Sequence, residues 1–299
     1  MTQQRACDRR RMALLLLPML VAASCGNSPK TVVVGSMNST EQSILGEIVA
    51  QHLEHRFGRK VDRRPDLGGT ANAYQALQNG EISLYPEYTG SIVTEILKEQ
   101  PATDAAAVFE RARGEMKRVA QAELLSPLGF DNGFVAVIRS DDPRAAKVSN
   151  LSEAAEVSDG WKLAASYEFQ QLSDGLPSLL QYKLPMQSAP RSMEASLLFK
   201  ALEQMSVSMI IARSTDGILT RKAWKALRDD RGHFAPRQAC LLVKLDLVNT
   251  VPGLEPALSE LSGKITAEKM RAMNAQVDLG QTPVRDVAAA FLQAAGLAK

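Results

Sequence analysis

The segment Glu81-Ile-Ser-Leu-Tyr-Pro-Glu-Tyr-Thr-Gly-Ser91 has the pattern of a strand that leads directly into a helix. Ile82, Leu84 and Tyr85 are typical of a short strand, and Pro86 is predicted to occupy the first helical turn, where its missing N–H is tolerated. The start of such a helix directs free N–H groups and a positive dipole end outward. Two tyrosines and two hydroxyl side chains gather there. They indicate either a binding crevice or a tyrosine pair that fills the core and covers a helix end.

Two similar junctions precede this one. A β-branched strand at 31–35 leads into a helix near 36–41, and a strand at 60–64 leads into a helix near 68–71. In an open parallel sheet such junctions lie together at the carboxyl ends of the strands, where ligands bind. The first third of the chain therefore predicts a sheet with a ligand site along one edge.

The alternation of strands and helices continues to the end of the chain. The further predicted elements are a helix at 105–125, strands at 134–138, 163–167, 207–212 and 241–247, and helices at 177–182, 193–204, 256–261, 267–276 and 284–295. This pattern predicts an α/β fold in which a second lobe is inserted into the first.

The first 24 residues have the features of an export signal. A basic segment ends at Arg11, an apolar run follows, and small residues precede Cys25. The run is too short to remain as a transmembrane helix. The cysteine resembles the lipidation site of a bacterial lipoprotein, with residues 25–30 as a tether. The alternative is ordinary cleavage near Ser24 that leaves a free thiol.

Composition excludes several classes of function. The formal charge of the 299 residues is +2, but the leader holds four arginines against one aspartate, so the remainder carries about −1. No basic patch interleaved with aromatic residues suggests nucleic-acid binding. No catalytic constellation appears, and His52 and His55 are predicted to lie on a solvated helix face. We therefore predict no metal, no cofactor and no enzymatic activity. With Cys25 lipidated, Cys240 has no disulfide partner.

Six ordered motifs resemble a known family, the substrate-binding proteins of osmoprotectant (glycine betaine, choline, carnitine) ABC importers. They are Val34-Gly-Ser-Met-Asn-Ser-Thr-Glu-Gln42, Ile44-Leu-Gly-Glu-Ile48, Leu67-Gly-Gly-Thr70, Tyr85-Pro-Glu-Tyr-Thr-Gly90, Ser214-Thr-Asp-Gly217 and Asn274-Ala-Gln-Val277. The resemblance covers almost the whole chain after the leader. It implies a two-lobed periplasmic-binding-protein clamp of type II. Each lobe would be a mixed sheet flanked by helices, and two crossover segments would join them.

The resemblance also implies an organisation and a role. Lobe I would comprise 31–133 with 238–299, and lobe II would comprise 134–237. The exported protein would act as a monomer in the periplasm or cell envelope, held at the membrane only by a lipid on Cys25. It would capture a small solute between the lobes and deliver it to the permease and ATPase of an ABC importer. The alternative is a sensor or assembly module with the same fold.

The site residues of the family can be carried over position by position. In the family an aromatic box surrounds a quaternary ammonium group, while cations and a hydroxyl hold a carboxylate. The first box tyrosine is Tyr88, and the hydroxyl is Ser91. A second box tyrosine falls on Phe134, and two more fall on Arg213 and Arg237.

Two cationic positions of the family are apolar in this chain, where they fall on Met37 and Leu172. An arginine beside a trimethylammonium group is a like-charge contact that opposes binding. The pocket is therefore predicted to take an anionic or neutral polar ligand. The alternative is that the two arginines point to solvent or pair with acids such as Glu87 and Asp216.

Overall fold

The computed structural model describes residues 31–298, which form two five-stranded mixed sheets flanked by helices. The predicted export signal, the tether and the lipidation site at Cys25 lie outside the described residues. Between residues 31 and 298, no helix combines the length and apolar character needed to cross a membrane. The α/β class and the pair of mixed sheets confirm the fold that the sequence predicted.

Strands and helices alternate along the chain. In chain order the strands are β1 (Val33–Gly35), β2 (Asp62–Arg64), β3 (Leu84–Tyr88), β4 (Ala122–Leu124), β5 (Phe134–Arg139), β6 (Leu163–Ser166), β7 (Arg191–Met193), β8 (Met209–Arg213), β9 (Trp224–Leu227) and β10 (Ala239–Lys244). The helices are α1 (Thr40–Phe57), α2 (Thr70–Asn79), α3 (Thr89–Ser91), α4 (Ala105–Ala120), α5 (Leu151–Val157), α6 (Tyr167–Gln171), α7 (Leu176–Leu180), α8 (Ala195–Glu203), α9 (Leu245–Thr250), α10 (Leu254–Ser259), α11 (Ala267–Asp278) and α12 (Val284–Ala294). A π-helix at Ile92–Ile96 continues α3, and 3-10 helices lie at Ala145–Lys147 and Gly217–Thr220.

The first sheet has the strand order β2-β1-β3-β10-β4, and the second has the order β7-β6-β8-β5-β9. Strands β1, β2 and β3 are parallel, whereas β10 runs antiparallel to β3 and β4. Strands β6, β7 and β8 are parallel, and β5 is antiparallel to β8 and β9. Because β10 follows β9 in sequence but lies in the first sheet, the chain crosses between the sheets twice. The predicted bounds of the two lobes stay a prediction.

The two connections between the sheets run side by side. We call residues 125–133 the first crossover and residues 228–238 the second crossover. The backbone N–H of Asn132 donates to the carbonyl of Arg237 at 2.9 Å, and the neighbouring residues form an antiparallel bridge. The lobes are therefore joined by a short hydrogen-bonded ribbon rather than by two independent linkers.

Pro86 lies inside β3, so its predicted place in the first turn of a helix was wrong. The backbone N–H of Thr89 donates to the carbonyl of Gln238 at 3.0 Å. Because ladder bonds alternate along an antiparallel strand, the nitrogen of Pro86 points away from β10. On its other side β3 pairs with β1 only at Leu84. The missing N–H therefore falls beyond that pairing, which makes proline tolerable within this strand.

The predicted helix at 105–125 is also corrected, because it is α4 followed by β4. Gln121 adopts a left-handed conformation, with φ of 49°, and ends the helix there. The next residues pair with β10. Likewise, the helix predicted from Met193 begins at Ala195, after the short edge strand β7.

His52 is fully buried, so the prediction that it lies on a solvated face was wrong. Its Nε2 atom lies 2.8 Å from the carbonyl oxygen of Ala257, which attaches α1 to α10. Burial lowers the pKa of this imidazole. His55 is exposed, as predicted. Cys240 is buried in β10 and is a free thiol.

Candidate functional site

The candidate site lies where β3 ends and the two crossovers pass between the sheets. Ser39 caps α1 by accepting a hydrogen bond from the backbone N–H of Gln42, which places Glu41 in the first turn. Tyr88 is the last residue of β3. The second crossover is held against this point through Thr89. Three separate segments therefore present side chains to one region: two lie at the predicted junctions near 36–41 and 85–91, and the third is the second crossover.

A buried carboxylate orients Tyr88. The hydroxyl of Tyr88 donates to Oε1 of Glu41 at 2.5 Å, and both side chains are at least nine-tenths buried. Nδ2 of Asn132 donates to the same oxygen at 2.5 Å, and Nδ2 of Asn274 donates to Oε2 at 3.1 Å. Burial, with the adjacent carboxylate, raises the pKa of Tyr88 well above its ordinary value. The phenol is therefore a hydrogen-bond donor at neutral pH.

The same network reaches the second lobe through Thr215, in the turn after β8. Nδ2 of Asn132 donates to Oγ1 of Thr215 at 2.9 Å, and Nδ2 of Asn274 donates to its carbonyl at 2.8 Å. Gly217 packs so tightly on α11 that a Cβ there would lie 2.4 Å from the nitrogen of Ala275. Glu41, Asn132 and Asn274 were not proposed as site residues from the sequence, although Glu41 and Asn274 lie in the family motifs. Asn132 lies outside these motifs, and no sequence pattern marked it as part of the site.

Arg213 lies on the ring of Phe134, its partner in the pairing of β5 with β8. Its Cζ atom is 4.0 Å from the ring centroid, and Nη2 donates to Oε1 of Glu168 at 2.7 Å. Burial and the nearby charge of Arg237 lower the pKa of Arg213. The Glu168 side chain is 61% exposed, so its charge compensates this guanidinium only weakly.

Arg237 is held quite differently, because its side chain is only 2% exposed and has three polar partners. Nη2 donates to both carboxylate oxygens of Asp174, at 2.9 and 3.1 Å. Nη1 donates to Oγ of Ser91 at 2.6 Å and to Oε1 of Glu95 at 3.3 Å. Burial lowers the pKa of Arg237, but these two acids more than offset it, so the pKa is raised.

Both arginines thus pair with acids, although not with the two acids that the sequence suggested. Asp216 accepts from the backbone N–H of Arg213 at 3.0 Å, and burial raises its pKa to about 6. Glu87 accepts from the backbone N–H of Tyr88 at 2.7 Å, and burial raises its pKa to about 8. The acids that pair with the two guanidinium groups are therefore Glu168, Glu95 and Asp174, and the predicted pairing with Glu87 and Asp216 was wrong.

The ring of Phe134 is surrounded within the protein. Phe169 and Phe234 approach it edge-on, with centroids at 4.8 and 5.9 Å. The Cζ atom of Arg237 lies 5.2 Å from its centroid, in addition to that of Arg213. The structure thus brings Phe134, both arginines and, through Arg237, Ser91 into one cluster.

The two apolar replacements belong to the hydrophobic cores of different lobes. Met37 is buried in the core of the first lobe, where its sulfur lies 3.8 Å from Oγ1 of Thr70. Leu172 ends α6 and packs on the core of the second lobe. Neither side chain introduces a charge, so the cations of the site are the two arginines.

Two surface cavities lie away from this cluster. One, of about 870 Å³, runs beside α1 and β2, where Arg63 is already paired with Glu47 and Glu54. The other, of about 480 Å³, lies at the edge of the second sheet beside Trp224. Neither is lined by any of the predicted site residues.

Comparison with known proteins places the chain in a family. The model of the substrate-binding domain of ABC-type glycine betaine transport systems matches residues 30–294. The carnitine transport binding protein OpuCC of Listeria monocytogenes is 26% identical over 295 residues, which is 94% of this chain and 94% of that protein.

Two further comparisons differ in what they cover. The ergothioneine transport permease/ergothioneine binding protein EgtU of Helicobacter pylori is 29% identical over 270 residues, or 90% of this chain. The chain spans about half of that relative, 48% of its length. A crystal structure of a glycine betaine/carnitine/choline ABC transporter matches with a TM-score of 0.82 and 22% identity, covering 90% of this chain and 100% of that one. At 22% identity, the similarity to this crystal structure concerns the fold alone. From the family match, the chain belongs to the substrate-binding domains of ABC-type glycine betaine transport systems.

Proposed function

We propose that this substrate-binding protein captures a small anionic or neutral polar solute, and not a simple quaternary ammonium compound. The observation that carries the proposal is the guanidinium of Arg213, which lies 4.0 Å from the centroid of Phe134. A ring face at this distance from a cation is the arrangement that a quaternary ammonium ligand uses. The protein fills that position with its own cation.

A trimethylammonium ligand would have to displace this guanidinium or lie beside it. Displacement would cost the stacking on Phe134, and proximity would bring two positive charges together in a partly buried site. Arg237 offers no alternative, because its raised pKa and buried partners keep it charged. The local charges therefore disfavour the ligand for which the family is named.

An anionic solute can bind Arg213 by displacing its partner Glu168. Its partner Glu168 is 61% exposed, and an ion pair with an exposed acid is worth about 0–1 kcal/mol. A solute carboxylate or phosphate can replace Glu168 and use the planar fork of the guanidinium. Arg237 cannot be recruited in the same way, since its Nη2 atom already donates to both carboxylate oxygens of the fully buried Asp174.

We propose Tyr88, Ser91, Phe134 and Arg213 as the residues closest to the solute, with Arg237, Met37 and Leu172 shaping the pocket. The relatives named for carnitine and ergothioneine support a family in which the solute varies. The protein is further proposed to be exported, to carry a lipid on Cys25, and to deliver its solute as a monomer to an importer's permease and ATPase.

A thermal-shift panel tests this function. Glycine betaine, choline, carnitine, amino acids and small organic anions are each added to the purified protein, because stabilisation follows ligand concentration over Kd. We expect a shift with an anion or a neutral polar solute and none with choline or glycine betaine. Arg213→Gln should abolish an anion-induced shift, and the exposed Arg221→Gln should not. A large shift with glycine betaine would overturn the proposal.

A further inference from the structure

Arg237 connects three parts of the molecule through one side chain. Its backbone lies on the second crossover, and its N–H donates to Oδ2 of Asp131 on the first crossover at 2.6 Å. One end of its guanidinium bonds Ser91 and Glu95, which belong to the first lobe. The other end bonds Asp174, in the loop between α6 and α7 of the second lobe.

The backbone around this side chain is shaped to receive it. A Cβ on Gly90 would lie 2.7 Å from the carbonyl oxygen of Pro236 and 2.9 Å from Cγ of Arg237, so only glycine leaves room for the stem of the arginine. A Cβ on Gly175 would lie 1.9 Å from the carbonyl oxygen of Phe169. The turn that carries Asp174 is therefore folded tightly, with the carboxylate fully buried.

In a two-lobed binding protein, closure is ordinarily stabilised by contacts that the ligand makes in the closed state. In this protein, one contact between the two lobes is made by the protein's own side chain, Arg237. Arg237 reaches both lobes in a site where the two charged partners, Arg237 and Asp174, are 2% and 0% exposed. An ion pair so deeply buried contributes little net stability against apolar replacements, and its best-attested use is to specify one arrangement.

We infer that Arg237 acts as a built-in bridge between the lobes, which holds the clamp closed when no solute is present. The bridge replaces a contact that a ligand would otherwise make to stabilise the closed state, so fewer contacts from the solute are needed for closure. Arg237 is on this view a positioning residue, whereas Arg213 faces the solute. The inference does not depend on which solute the protein binds.

Small-angle X-ray scattering on the purified protein without solute tests this directly. We expect the wild-type radius of gyration to match that calculated from the present structure. The variant Ser91→Ala/Glu95→Gln weakens the bridge on the first-lobe side and leaves the buried pair intact, so its radius of gyration should increase. A second variant, Arg237→Met/Asp174→Leu, removes both buried charges together and should expand further. Arg213→Gln, which removes the other arginine on Phe134, is the matched control and should stay compact.

Each outcome decides the inference. Compact wild type with expanded bridge variants supports it, provided that circular dichroism shows native secondary structure. Equal radii for the wild type and Ser91→Ala/Glu95→Gln, whether all compact or all expanded, would overturn it. This readout needs no ligand, so a failure here is separate from a failure of the proposed solute class.

Discussion

The carboxylate of Glu41 and the hydroxyl of Tyr88 share a buried hydrogen bond of 2.5 Å, although they lie 47 residues apart in sequence. Asn132 and Asn274 donate to the same carboxylate. The tyrosine is thereby fixed by the helix after β1, by the first crossover and by α11 at once. Its orientation is a property of the whole lobe junction, and not of the strand that carries it.

Glu41→Ala is expected to destabilise the protein strongly. It removes the acceptor of three donors that are at least nine-tenths buried, and each unsatisfied donor costs about 1–3 kcal/mol. Urea denaturation should show a loss of at least about 3 kcal/mol. Glu99→Ala, which removes an exposed ion pair with Arg111, is the control and should lose less than about 1 kcal/mol. Similar losses in both variants would show that the network does not stabilise the junction.

Placing tyrosine at positions 213 and 237, where the family resemblance implies aromatic rings, should restore binding of a quaternary ammonium ligand. In Arg213→Tyr/Arg237→Tyr two positive charges leave and two aromatic faces enter, each worth about 0.5–2 kcal/mol to a quaternary ammonium group. We expect choline to bind this variant at least about tenfold more tightly than the wild type, measured by calorimetry. The control Arg213→Met/Arg237→Met removes the charges without adding rings. If it gains as much affinity as the tyrosine variant, charge removal alone is responsible.

Glu87 should make stability fall as the pH rises. Burial raises its pKa from 4.5 to about 8, so between these values the folded protein keeps a proton that the unfolded chain has released. The free energy of unfolding should therefore decrease across this window, by at most roughly 1.4 kcal/mol per pH unit from this group. Denaturation at pH 5 and pH 8 should show a smaller decrease in Glu87→Gln, which is neutral throughout. Parallel profiles for the two proteins would argue against a protonated Glu87.

Gly90→Ala should disturb the second crossover. The added methyl would lie 2.7 Å from the carbonyl oxygen of Pro236, which is backbone and cannot rotate away. We expect a loss of about 1–3 kcal/mol in denaturation. Gly114→Ala in α4 meets no atom within 4 Å and should instead gain about 0.5–1 kcal/mol. A neutral effect at Gly90 would mean that the crossover can shift without cost.

The fold was largely readable from the sequence, because each junction has a local cause. The strand predicted at 31–35 follows from β-branched residues and is Val33–Gly35 in the structure, and the helix predicted after it begins at Thr40, behind the cap at Ser39. Pro86 was misread because its tolerance depends on where β1 stops pairing, a property of the neighbouring strand. Strand β4 was missed because its residues continue the apolar pattern of α4, and only pairing with β10 distinguishes them.

The site was readable only in part. The family resemblance, carried over position by position, indicated Tyr88, Phe134, Arg213 and Arg237. Of these, Phe134 and the two arginines form one cluster. The acids that pair with the arginines could not be foreseen, because Glu168 and Asp174 reach them across tertiary space in loops and short helices. Local sequence carries no record of such long-range partners.

The ribbon formed by the two crossovers has an evolutionary consequence. Asn132 and Arg237 are joined backbone to backbone in that ribbon, while the side chain of Asn132 donates to Glu41 and that of Arg237 donates to Ser91. The connection between the two sheets and the candidate site therefore share these two positions. Under the proposed roles, a substitution of Arg237 during evolution would alter the pocket that it shapes and, at the same time, the way in which the two lobes are held together.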